Sequence, residues 1–72
     1  MVYYMPDDEG NIFRMGVNVE EVANGDAVKV NGKLERILSI ERVVGSKWNR
    51  TIRTSSGSYQ MMDVQSYGKK VD

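Results

Sequence analysis

Turn-forming residues recur along the whole 72-residue chain. Pro6 to Asn11, Asn24-Gly25-Asp26, Asn31-Gly32, Gly45-Ser46, Ser55 to Ser58 and Gly68 all carry the Gly, Pro, Asn, Asp or Ser chemistry that lets a backbone reverse. The runs between them are short and rich in Val, Ile, Tyr, Thr and Phe, side chains that fit a pleated, half-buried surface. Short strands joined by regular turns predict a small all-β sandwich or barrel. One segment departs from this. Asn18 can start a helix and Glu21 can reach back to its N–H, while Asn24-Gly25 ends the turn, so one helical turn is expected over residues 19–23.

Pairing follows from side-chain chemistry. Val2 to Met5 and Ile12 to Val17 are joined by the polar tip Pro6 to Asn11. Ala27 to Val30 leads into Asn31-Gly32, where a three-residue loop places Val28 opposite Leu34 and Asp26 opposite Arg36. Lys33 to Val44 alternates as one long bent strand, or as two strands kinked near Ser39. A four-residue loop, Ser55 to Ser58, places Thr54 opposite Tyr59, Ile52 opposite Met61 and Arg50 opposite Asp63. Residues 68–72 read as a polar tail that frays. The resulting expectation is one domain over residues 1–72, a barrel of five or six antiparallel strands. Its predicted core is Val2, Phe13, Val17, Val22, Val28 and Val30 from the first half. The second half contributes Leu34, Leu38, Ile40, Ile52, Met61 and Val64.

The segment Gly25-Asp26-Ala27-Val28-Lys29-Val30-Asn31-Gly32 resembles the opening of SH3-like barrels of ribosomal and transcription-factor type, in which a Gly-Asp turn enters a strand that ends in another glycine turn. It covers about a tenth of the chain. The resemblance implies an SH3-like barrel and no particular function.

Composition narrows the chemistry. A chain this short buries only about 60% of its unfolded surface, and with no Cys it has no disulfide to compensate. There is also no His, so the commonest neutral-pH base and zinc ligand are both missing. Asp7, Asp8 and Glu9 cluster, but on a tip where carboxylates are expected to be solvated with ordinary pKa values. No phosphate-binding glycine loop is present. The expectation is a protein that is not an enzyme and takes no metal or cofactor. No apolar run approaches the roughly 20 residues that cross a bilayer, and Met1 to Pro6 shows no basic stretch leading into an apolar one. A cytoplasmic protein without membrane contact is expected, monomeric or homodimeric.

Charge is what points to a partner. The net charge of zero hides a division: residues 1–26 hold six acids and one base, residues 27–72 nine bases and four acids. From Arg42 to Met62 there is no acid at all. Arg42, Lys47, Arg50 and Arg53, with Trp48 and Tyr59, therefore form the candidate partner-binding set, and Asp7, Asp8 and Glu9 a secondary acidic patch. Trp beside Arg is an anchor suited to a protein interface, and balanced net charge favours a protein partner for an adaptor or inhibitor. The same residues would stack bases and meet phosphates of single-stranded DNA or RNA, the alternative reading. A small anionic ligand such as a nucleotide is the second alternative.

Overall fold

The computed structural model describes residues 2–72. Eight short strands run through them: β1 Tyr3–Pro6, β2 Ile12–Val17, β3 Ala27–Val30, β4 Lys33–Arg36, β5 Ser39–Arg42, β6 Arg50–Thr54, β7 Gly57–Gln60 and β8 Ser66–Val71. Single 3-10 turns lie at Val19–Glu21 and Met61–Asp63. The protein is all-β and barrel-like, with more and shorter strands than the five or six expected. Five strands in the order β1-β2-β8-β3-β4 make a curled half-barrel, and β5-β6-β7 make a second sheet. No helix among the described residues is long and apolar enough to cross a membrane.

A bulge at Gly16 decides which residues face which core. Met15 lies opposite Gly68, but Val17 lies opposite Tyr67, so Gly16 (φ 83°) is an extra residue in β2. Its N–H, freed from the ladder, donates to Ser66 Oγ at 2.9 Å. The insertion reverses the alternation. Phe13 and Met15 therefore pack with Ala27 inside the curl of the larger sheet. Val17 turns the other way and joins Val22, Val28, Val30, Ile37 and Ile52 between the two sheets.

The last strand is the largest departure from expectation. Residues 68–71 do not fray: β8 is the centre of the larger sheet, paired with β2 on one side and β3 on the other. Gly68 makes this fit. It sits between Met15 and Ala27, and a Cβ there would run into the Met15 sulfur and lie 3.2 Å from Phe13 Cβ. Asp26, buried at the end of β3, fastens the strand by accepting from the Lys70 N–H (2.9 Å), the Ala23 N–H (2.9 Å) and Lys69 Nζ (3.1 Å).

Three further expectations are corrected. At Asn31-Gly32 the loop has two residues, not three, so Val30 pairs with Lys33, Val28 with Glu35 and Ala27 with Arg36. Both turn residues take positive φ (52° and 77°), the geometry whose twist matches a hairpin. Valines facing charged partners are tolerable because β4 is an edge strand, from which Lys33 reaches solvent and Glu35 accepts from Ser56 Oγ at 3.0 Å. Arg36, freed from Asp26, lies over the Phe13 ring and bonds the Gly25 carbonyl at 2.9 Å.

The β6–β7 turn is also tighter by two residues. Thr54 pairs with Gly57 and Ile52 with Tyr59, because Thr54 Oγ1 accepts the Ser56 N–H and bonds the Gly57 carbonyl. A slip of two keeps every side chain on its expected face. Asp63 does not meet Arg50 but accepts the Gln60 N–H and starts the second 3-10 turn.

The kink in the 33–44 stretch is the place where the chain leaves one sheet for the other. Ile37 bonds back to Gly25 and Asp26, and Leu38 bonds forward to Arg53. That exchange buries Ile37 (1% exposed) and exposes Leu38 (59%), the reverse of simple alternation. Val2 is exposed as well, while Met15 and Ala27 are core residues that the sequence did not single out.

Candidate functional site

The inner face of the β5–β6 hairpin begins as core and ends as a charged surface. Ile40, Ile52 and Tyr59 form one row across the smaller sheet and pack on the core. Two residues further along the same face, Arg42 lies directly opposite Arg50. The connecting loop is ordered by its own hydrogen bonds: Val43 N–H to the Asn49 carbonyl (3.2 Å), Ser46 N–H to the Val43 carbonyl (3.0 Å) and Asn49 N–H to Ser46 Oγ (3.1 Å). Lys47 and Trp48 sit on this loop. Facing them is the short turn after β2, where Glu21 accepts the Asn18 N–H at 3.0 Å and Val19, Glu20, Val22, Ala23 and Asn24 form the opposite wall. Between the two lies an open groove of about 660 Å³.

The charges in this groove are not neutralised. Arg42 Nη1 lies 3.5 Å, and Arg50 Nη1 3.3 Å, from the Lys47 carbonyl oxygen. Arg50 Nη1 also donates to the Asn49 carbonyl at 3.1 Å. Among the described residues, neither arginine nor Lys47 has an ion-pair partner. Glu20, on the far wall, is the one acid among the lining residues. Trp48 is 69% exposed, and Val44 on the same loop is 99% exposed.

Four of the six residues nominated from sequence thus converge: Arg42, Lys47, Trp48 and Arg50. The other two do not join them. Arg53 alternates to the outer face of β6 and pairs with Glu41 at 3.1 Å. Tyr59 faces inward, half-buried, with its hydroxyl 2.7 Å from Ser56 Oγ. The wall made by residues 19–24 was not foreseen, since no spacing in the chain sets it against residues 40–50.

The acidic tip is built differently from expectation. Asp7 is not a free carboxylate, with its side chain only 11% exposed. It accepts the Asn11 N–H (2.8 Å), the Glu9 N–H (3.0 Å) and the Asn11 side-chain amide (3.0 Å), and lies 3.4 Å from Arg36 Nη1. Desolvation works against its charge, but these hydrogen bonds and the guanidinium outweigh it and hold the pKa below the ordinary value. Asp8 and Glu9 remain exposed, Glu9 lying 3.5 Å from Arg36. Among the described residues, no three carboxylates converge in the manner of metal ligands.

Fold and groove together give a small barrel-like β structure whose smaller sheet ends in a cationic groove beside an exposed tryptophan. Comparison with protein-family models, with curated proteins and with solved structures finds no match to this chain.

Proposed function

We propose that this chain is a non-catalytic binding module, an adaptor or inhibitor that docks on a larger protein through the groove between residues 19–24 and the β5–β6 hairpin. The observation that carries this reading is Trp48, largely exposed in the company of three cations that have no acid to pair with among the described residues. Leaving an indole in water forgoes the burial free energy of one of the largest apolar side chains. Trp and Arg are also the side chains most enriched among residues that dominate protein interfaces. Val44 is a second apolar side chain that the same loop leaves in solvent.

The groove's shape supports a protein over the other two partners. A single-stranded nucleic acid is held by a charged groove that tracks its backbone. Here the basic run of the sequence is divided by strand alternation, with Arg53 sent to the opposite face and paired with Glu41. Arg36 and Lys69 are paired with Asp7 and Asp26. A small ligand is normally enclosed over 70–90% of its surface. An open groove that leaves Trp48 mostly in solvent suits a partner that brings its own covering surface. The SH3-like form suggested by residues 25–32, which run as turn, strand and turn, belongs to the same proposal, as does a cytoplasmic setting.

Affinity capture from nuclease-treated extract of the source organism tests the reading. Wild-type protein is expected to retain a specific protein that Trp48→Ala loses. Recovery of nucleic acid alone from untreated extract, or capture indifferent to Trp48→Ala, would overturn it.

A further inference from the structure

The pairing of Arg42 with Arg50 is unfavourable for the fold taken by itself. Like charges directly opposite each other on one face of an antiparallel ladder repel, and no carboxylate among the described residues lies within ion-pair distance of either. What holds them together is the Lys47 carbonyl, a neutral acceptor at the long distances of 3.5 and 3.3 Å. Each guanidinium uses Nη1 alone, so Nε and Nη2 of both have no protein acceptor among the described residues. Lys47 adds a third positive charge on the same loop. These donors line a groove that also offers apolar surface, Ile40 and Trp48 on the hairpin side and Val19 and Val22 across from them, with Glu20 and Asn24 the polar side chains of that far wall.

We infer that the groove receives an acidic segment of the partner protein, in which carboxylates flank an aromatic or aliphatic side chain. This rests on the docking reading above and names the chemistry of what docks. A carboxylate presents two oxygens in the plane a guanidinium matches, and it can take the Nε and Nη2 donors that the Lys47 carbonyl leaves free. One carboxylate bridging Arg42 and Arg50 removes their repulsion, and a second meets Lys47. The neighbouring apolar side chain lies on Trp48 and covers it. Glu20 on the opposite wall sets direction, because it repels the acidic side of the segment and leaves that side facing the hairpin.

Trp48 is the chain's only tryptophan, so its fluorescence reports this groove alone. The probe is a short synthetic peptide in which glutamates flank a phenylalanine. The reference peptide has glutamine in place of every glutamate, and oligothymidylate serves as the nucleic-acid probe. The acidic peptide is expected to shift Trp48 emission to the blue, with affinity that falls as salt rises. Arg42→Gln and Arg50→Gln are each expected to weaken it about tenfold. Arg53→Gln, the same charge change on the other face, is expected to leave it unaltered. Equal binding of the glutamine peptide, an equal loss in Arg53→Gln, or tighter binding of oligothymidylate would overturn the inference. If no acidic peptide binds while Trp48→Ala still abolishes capture of the protein partner, the acidic segment is wrong and the docking surface stands. If the peptide binds and capture ignores Trp48→Ala, the docking surface is the part that fails.

Discussion

Asp26 and Arg50 are both charged side chains at the ends of strands, and their surroundings differ in kind. Asp26 is buried, and its two carboxylate oxygens take two backbone N–H groups and the Lys69 ammonium. Arg50 is half-exposed, meets only backbone carbonyls through one nitrogen, and stands opposite another arginine. Around Asp26 charge is part of the framework, fixing β8 against β3. At the end of the β5–β6 hairpin charge is left over after the framework is complete. The contrast separates residues that make the fold from residues the fold presents, and it yields tests of decreasing size.

The largest effect is expected at Asp26. Asp26→Ala removes the acceptor of the Lys70 and Ala23 N–H groups together and should cost about 3 kcal/mol. In a domain of this size that lowers Tm by on the order of 15 °C, measurable by circular dichroism. The half-exposed Lys69 ammonium contributes little of it. An unchanged Tm would remove Asp26 from the framework. Gly68→Ala comes next, at about 1–3 kcal/mol, because the added methyl meets Met15 and Phe13 in a filled core. Combining it with Met15→Ala should cost less than the two single changes added together, since the cavity made by one receives the methyl of the other. Strict additivity would mean that the Met15–Gly68 contact does not matter.

Acid is expected to act on the same framework. Asp26 is desolvated, which raises its pKa, but the Lys70 and Ala23 N–H groups and Lys69 outweigh this and leave the pKa lowered in the folded protein. Asp7 is lowered in the same sense. The unfolded chain, with aspartates near 3.8, binds protons first as pH falls. The stabilisation these groups supply is therefore complete above that value and is lost as pH drops through the lower folded values. Denaturant titrations at neutral pH and at about pH 3 should show wild type losing stability, and Asp26→Asn losing less. Equal losses would mean that Asp26 does not contribute to the acid response.

Much of this fold was legible because it depends on local patterns. Asn31-Gly32, the alternation of Val28 and Val30, and the Asn18–Glu21 turn each reflect a preference acting over a few residues. Local pattern is a poor guide where a distant contact decides. Residues 68–72 look like a polar tail until Asp26, more than forty positions earlier, takes the Lys70 N–H. Gly16 looks like an ordinary glycine within a strand, yet its bulge divides Met15 from Val17 and creates two cores instead of one. At Asn31-Gly32 the pairs that looked chemically sensible lost to the turn that both residues could adopt. The groove was half legible: Arg42, Lys47, Trp48 and Arg50 are close in the chain, but only strand alternation separates Arg50 from Arg53, and only the tertiary fold brings residues 19–24 across from them.

The smallest expected effect is the sharpest test of the contrast. Arg50→Ala loses its contacts to the Lys47 and Asn49 carbonyls and the packing of its stem, changes that destabilise. It also removes the like charge opposite Arg42, worth about 0.2–1 kcal/mol in the other direction. The two nearly cancel, so stability should stay within about 0.5 kcal/mol of wild type. Salt gives an independent reading of sign. If repulsion between Arg42 and Arg50 is the main electrostatic term at this end of the hairpin, added salt should stabilise wild type slightly and Arg50→Ala less, because screening weakens a repulsion only where one exists. A loss of more than about 1 kcal/mol in Arg50→Ala would mean that the arginine is a clasp for its own loop. Its lack of a carboxylate partner would then be a feature of the fold, and it would cease to mark a surface waiting for one.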